Sequence, residues 1–407
     1  MTTGAGDAAI ATAQHDNQPG IWPAVMAGLL TAFVGYASSF TVVLQGLKSV
    51  GATPGQATSG LIAVGTAMGL CAVVLALRNR MPISIAWSTP GAALLISTGA
   101  VAGGFEAACG AFIVSSILII IAGLWKPFGN LIASIPAVLA NAMLAGVLFS
   151  ICVAPFHAIA EMPKLALPVV LAWALVARWK RLYAMPVAVA VTVIALVING
   201  IPDIAGATPG QSLWWPHLEL VTPSFNLNAI ISIALPLFIV TMASQNIPGL
   251  AVLRAFDYLP APGPLFVATG IASLLSVPFG GYAVNLAAIT AALCAAPDAH
   301  PDPRKRYIAA VVAGLVYVAF GIFAGAAASF ISVSPPLLIE AVAGLALFGA
   351  FGASLSSALQ NAADREAAVI TFVATASGMS IGGIGAAFWG LVAGGFVMAL
   401  HRWRKKA

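Results

Sequence analysis

The chain has 407 residues, of which 61% are hydrophobic and only 7% charged, with a net charge of +5 and a mean hydropathy of +1.02. A soluble domain carries about a quarter charged residues to wet its surface, so a soluble enzyme, a nucleic-acid binder and a disordered chain are excluded. A membrane β-barrel would alternate polar and apolar residues rather than run apolar throughout. The class is therefore an all-α polytopic membrane protein.

The excess of 17 Lys and Arg over 12 Asp and Glu matches the basic cytoplasmic loops of membrane proteins and needs no acidic partner. Cys71, Cys109, Cys152 and Cys294 all fall in apolar stretches without CxxC spacing. They read as small core residues, and no metal or cofactor is expected.

Residues 1–20 are small and polar without a basic leader, which predicts a disordered cytoplasmic tail and no cleaved signal. Hydrophobic segments follow near 22–45, 57–77, 83–99, 102–124, 132–155, 163–178, 184–200, 228–248, 262–277, 280–296, 307–331, 335–352, 367–381 and 384–401. The third and tenth open with Pro and Gly among β-branched and aromatic residues, a poor start for a helix. Charge decides whether they cross. With all fourteen counted and both termini cytoplasmic, 15 of the 17 Lys and Arg lie inside and only Lys48 and Lys164 outside; omitting both segments gives 11 and 6. The first partition fits the positive-inside rule better. Fourteen spans are predicted, with a basic cytoplasmic tail at 402–407.

Fourteen divides into seven and seven. Gly35-Tyr36-Ala37-Ser38-Ser39 echoes Thr241-Met242-Ala243-Ser244-Gln245, and the irregular third segment matches the tenth. Residues 21–200 and 228–401 are thus expected to be inverted repeats joined by an extracytoplasmic loop at 201–227 whose Trp214-Trp215 sits at the lipid interface. Paired, interrupted segments in inverted repeats mark a secondary transporter with a midplane site.

In the third segment Ile83, Ile85 and Trp87 alternate with Ser84, Ala86 and Ser88, and then Thr89 precedes Pro90. This predicts an extended stretch followed by a half-helix with Thr89 as its N-cap and proline at its first position. In the tenth, 280–284 is expected to be extended and Asn285 to cap a half-helix from Leu286. Two amino ends near the bilayer centre can bind an anion through backbone N–H groups alone. Ser88, Thr89, Gly91 and Asn285 are the candidate contacts for a carboxylate, and Trp87 and Tyr282 are suited to clasp a flat ring.

The first and eighth spans supply Ser38, Ser39, Gln45, Ser244, Gln245 and Asn246 as polar candidates. Amides in mid-span are costly without a partner or ligand, although interhelical bonding is an alternative role for Gln245 and Asn246 and close helix packing one for the two serines. Glu340, one turn into the twelfth span, is the leading candidate to carry a proton. A carboxylate resting on its own helix's amino end is the competing reading. His157 is a weaker proton candidate, Glu106 reads as interfacial, and His300 reads as a cytoplasmic loop residue.

Three stretches carry a resemblance: Ile85-Ala86-Trp87-Ser88-Thr89-Pro90-Gly91-Ala92-Ala93-Leu94, Ala243-Ser244-Gln245-Asn246-Ile247-Pro248-Gly249, and Asn285-Leu286-Ala287-Ala288-Ile289-Thr290-Ala291-Ala292 running on to Ala299-His300-Pro301. Through them the chain resembles the benzoate/proton symporter family of bacterial inner-membrane transporters. The resemblance implies proton-driven uptake of benzoate or a similar aromatic carboxylate, and kinship with the fourteen-span fold of uracil symporters. In those relatives acidic residues on spans eight and ten serve binding and coupling; here Gln245 and Val284-Asn285 are neutral. A nucleobase or inorganic-anion transporter of the same architecture is the nearest alternative. The expected partners are the substrate, the proton and the lipid bilayer, with a homodimer compatible and nucleic acid excluded. A membrane-embedded hydrolase is disfavoured, because Gly378-Met379-Ser380-Ile381-Gly382 matches G-x-S-x-G without a strand–turn–helix context or a partner His.

Overall fold

The computed structural model describes residues 20–125, 127, 136–199, 217–325, 334–381 and 384–404. The expectations for the first nineteen residues, for Trp214-Trp215 and for the last three lie outside them. By length and composition, eight helical stretches among the described residues can cross a membrane.

The first expected span is two helices, α1 (Trp22–Ala37) and α2 (Phe40–Ser49). It breaks at Ser38-Ser39, whose hydroxyls donate back to the Gly35 carbonyl at 3.0 and 3.3 Å, and Ser39 leaves helical geometry at φ −148°, ψ 0°. Side-chain bonds of this kind compete with the helical ladder and bend or break it. α3 (Pro54–Asn79) begins at a reciprocal cap: Thr53 Oγ1 accepts from the Gln56 N–H and Gln56 Oε1 from the Thr53 N–H, at 3.1 and 3.0 Å.

Next come β1 (Ile85–Trp87), α4 (Thr89–Thr98), α5 (Gly104–Leu124) and α6 (Ala137–Glu161). The expected sixth and seventh spans are two helices that meet at a non-helical residue, Lys180 (φ −145°, ψ 92°), and are labelled together as α7 (Pro163–Ile198). α8 (Leu227–Ala255) is continuous, with π turns at Ile230–Ala234 and Met242–Asn246. There follow α9 (Pro262–Ser276), β2 (Val284–Leu286), α10 (Ile289–Ala295), α11 (Tyr307–Ile322), α12 (Pro336–Leu359), α13 (Arg365–Ala376) and α14 (Ala386–Arg404).

Helices distant in the chain pack side by side. α11 lies on α3 and α1, and α9 on α5 and α3, with the strands, α2, α4, α8 and α10 in the same bundle. At the α3–α11 crossing a Cβ on Gly69 would lie 2.5 Å from the Gly314 carbonyl oxygen, and one on Gly314 2.7 Å from that of Gly69. Only glycine permits that backbone contact. A second bundle comprises α6, α7, α12, α13 and α14, with α12 on α6 as its most extensive contact. The bundles meet where α2 and α4 face α12 and α6, over an apolar surface that buries Leu44, Leu95, Met143, Val147, Ile339 and Ala343 together.

Candidate functional site

β1 and β2 pair antiparallel, with Ile85 opposite Leu286, Ala86 opposite Asn285 and Trp87 opposite Val284. The ladder runs on through Ser88 N–H to Ala283 O at 2.9 Å and Ala287 N–H to Ser84 O at 3.0 Å. Extended backbone at membrane depth must be satisfied inside the protein, and these two strands satisfy each other. Each then leads into a helix, so both α4 and α10 have their amino ends at the ladder.

The strands differ from expectation in register. Ser88 rather than Thr89 caps α4, accepting from Gly91 N–H at 3.1 Å, which makes Thr89 the first helical residue and Pro90 the second. In the tenth segment the extended part is not 280–284. Val277–Phe279 form a 3-10 turn, Gly280 is left-handed at φ 81°, and Asn285 sits inside β2. Asn285 therefore does not cap α10, which starts three residues later than expected, at Ile289, without a side-chain cap. The bond from Ala287 to Ser84 explains this: pairing continues past Asn285, and a helix cannot begin while it does.

Ser88 is a hub whose bonds are spent. Its hydroxyl also pairs with Thr241 Oγ1 of α8 at 3.1 Å, and its carbonyl accepts from the Tyr282 hydroxyl at 2.9 Å and from Ala92 N–H at 2.8 Å. Pro90 has no N–H. Among the described residues this leaves the half-buried Thr89, with its N–H and hydroxyl, as the unspent donor at the amino end of α4. Gly91 leaves room for the cap, since a Cβ would lie 2.7 Å from Ser88 Oγ and 2.9 Å from Ser88 Cβ. Gln245 follows Thr241 by one turn on α8, is half-buried, and forms no hydrogen bond to a described residue. Its neighbour Asn246 is fully buried and structural: Oδ1 accepts from Leu286 N–H of β2 at 2.9 Å. That tie lies at the end of the π turn Met242–Asn246, a feature common at functional sites.

Trp87 donates its indole N–H to Ser39 Oγ at 2.8 Å, across the break in the first span. Its ring lies 5.0 Å from Tyr36, which stacks on Phe40 at 5.9 Å and meets Phe320 edge-on at 5.0 Å. Tyr282 does not oppose Trp87. It is fully buried and packs on Phe112 at 6.2 Å. The aromatic wall is thus Tyr36, Phe40, Trp87 and Phe320, and the first span's share of it escaped sequence reasoning. Tyr36 and Phe40, four residues apart around Ser38-Ser39, were its available signal. Among the described residues four buried side-chain oxygens have no partner: Asn285 Oδ1 and Thr41 Oγ1, the latter on the first turn of α2, together with Ser115 Oγ and Thr375 Oγ1. Ser84 Oγ and Thr290 Oγ1 pair at 2.8 Å beside the start of α10.

The proton candidates separate. Glu340 is half-buried on α12 and accepts from Gln45 Nε2 at 3.3 Å. His157 is exposed on α6 without a hydrogen bond to a described residue. His300 does lie in a loop, yet it is buried, and its carbonyl accepts from the buried Arg306 at 2.7 Å.

A sequence model of the benzoate membrane transport family ("BenE: Benzoate membrane transport protein") matches residues 19–400. The chain belongs to this family. It is 41% identical over 374 residues to "Inner membrane protein YdcO" of Escherichia coli (strain K12), covering 92% of this chain and 94% of that one. It is 32% identical over 376 residues to a "Benzoate membrane transport protein" of Acinetobacter baylyi (strain ATCC 33305 / BD413 / ADP1), covering 91% and 93%. In fold it is similar to the transmembrane domain of the cyanobacterial bicarbonate transporter BicA, with a TM-score of 0.55 at 16% identity over 95% of this chain and 98% of that one. It is also similar to the murine anion transporter Slc26a9 in its inward-facing state, with a TM-score of 0.59 at 12% identity over 94% and 69%. Membership makes the chain a membrane transporter.

Proposed function

We propose that the protein carries benzoate or a similar aromatic carboxylate into the bacterial cell across the inner membrane, together with a proton, by alternating access. The observation that carries this reading is the join between β1 and α4. An unspent donor, Thr89, stands at the positive amino end of a ten-residue half-helix, next to a wall of four aromatic rings. Backbone dipole and N–H groups favour the carboxylate, the wall takes the flat ring, and Gln245, one turn past the Thr241 that pairs with Ser88, is a further candidate contact. Glu340 is the proton carrier in this reading.

The proposed topology is fourteen spans in two inverted repeats, 21–200 and 228–401, with both ends cytoplasmic. The antiparallel pairing of β1 with β2 supports it, since segments related by inversion cross in opposite senses. The ladder bundle rocks against the second bundle. Symport also makes electrical sense, because an anion entering against a negative-inside potential costs ~2.3 kcal/mol per 100 mV and one co-moving proton removes that cost.

Proteoliposomes test the reading. Benzoate uptake rises under an inward proton gradient and collapses with an uncoupler, and uptake indifferent to both ends the symport claim. A second reading, transport of a small inorganic anion, is favoured by the fold shared with BicA and Slc26a9. Competition separates the two: unlabelled benzoate displaces labelled benzoate, whereas bicarbonate, sulfate and uracil do not.

A further inference from the structure

α2 touches both the ring wall and the proton candidate. Ser39 at its amino end holds the Trp87 indole, and Gln45, six residues on, holds Glu340 of α12. The two are separated by a rise of roughly 9 Å along the chain. Gln45 to Glu340 is a side chain–side chain hydrogen bond that crosses from one bundle to the other. Around it the interface is apolar, with Leu44, Leu47, Ile339 and Ala343 buried. In such surroundings a hydrogen bond to a carboxylate is roughly twice as strong as one to the neutral acid.

The other titratable or charged groups on the helices packed against α12 are Lys48 on α2; Cys152, His157 and Glu161 on α6; Lys164, Arg178, Lys180, Arg181 and Tyr183 on α7; and Arg365 and Glu366 on α13. Half-buried Lys48 is three residues past Gln45, and Cys152 Sγ donates to the Gly344 carbonyl, one turn past Glu340, at 3.9 Å. His157, Glu161 and Lys164 are exposed, and among the described residues no group forms an ion pair with Glu340. Gln45 is its one polar partner there.

We propose that Gln45 and Glu340 form a proton-released clasp between the bundles. Ionised Glu340 holds α12 to α2 in the arrangement seen here; when the carboxylate takes up a proton from one aqueous face the bond weakens and the bundles reorient, and the proton leaves to the other face. Gln45 is a positioning residue in this scheme, which rests on Glu340 being the proton carrier and assumes nothing about which anion is carried.

The test uses the full chain in lipid nanodiscs without substrate. Nitroxides are placed at Leu259→Cys, in the loop before α9, and Gln360→Cys, just after α12. Both sites are exposed, whereas the four native cysteines are buried and resist labelling. Pulsed electron–electron resonance then follows the inter-bundle distance from pH 5 to pH 8.5. The expected result is two populations whose ratio titrates. Glu340→Gln holds the acid population at every pH, and Gln45→Leu, which removes the clasp in either protonation state, does the same. Distances insensitive to pH, or a Glu340→Gln variant that titrates like the parent, overturn the proposal. Should Glu340→Gln lose its fold, a Gln45→Leu variant that titrates like the parent overturns it alone. A clasp that titrates in a protein that ignores benzoate refutes only the substrate reading; proton-driven benzoate uptake with an unaltered Glu340→Gln titration refutes only the clasp.

Discussion

β1 runs into α4, ten residues long, capped by Ser88 and tied through that residue to α8 and to Tyr282; β2 runs into α10, seven residues long and without a side-chain cap. Inverted repeats would make the two ends symmetric in outline, yet their polar groups are used differently. The α4 end keeps a donor unspent at Thr89 beside the aromatic wall. At the other end Asn246 holds the β2 backbone and Thr290 holds Ser84. In the proposed reading one half of the ladder receives the ligand and the other holds the first in place.

Three substitutions break or sharpen that contrast. Trp87→Ala has the largest effect, because the ring is buried and its indole N–H is bonded. A cost of about 3 kcal/mol or more in stability is expected, with loss of benzoate binding, measured by thermal melting in detergent and by scintillation proximity. Ser88→Ala removes the α4 cap and is expected to cost about 1–2 kcal/mol and to raise the KM for benzoate uptake. Retention of the parental KM would show that the α4 end is not the ligand end. Thr290→Val leaves the Ser84 hydroxyl without its partner, for a loss of about 1 kcal/mol. The melting temperature falls while the KM stays within about twofold of the parent. A KM effect as large as that of Ser88→Ala would restore the symmetry.

Much of this was legible locally. The breaks in segments 83–99 and 280–296 followed from Pro and Gly, because backbone preference is a property of a few neighbouring residues. Other features were legible only in part. Ser38 and Ser39 were visible as polar residues in a span, but that they would open it, and that Ser39 would meet Trp87 48 positions away, depends on a neighbour no local rule supplies. The placement of Asn285 failed for a related reason: cap grammar is local, and the strand that overrode it is formed with Ala86, on the other side of the ladder.

Composition alone determined that this chain belongs in a membrane, since 7% of charged residues cannot wet the surface of a soluble domain of this size. Tertiary structure decided which hydroxyl caps, which amide is consumed by the backbone, which rings form the wall, and that Gln45 reaches Glu340. Each of these is a pairing between residues far apart in the chain, and hydrogen-bond partners at such separations are chosen by packing rather than by the sequence around either one.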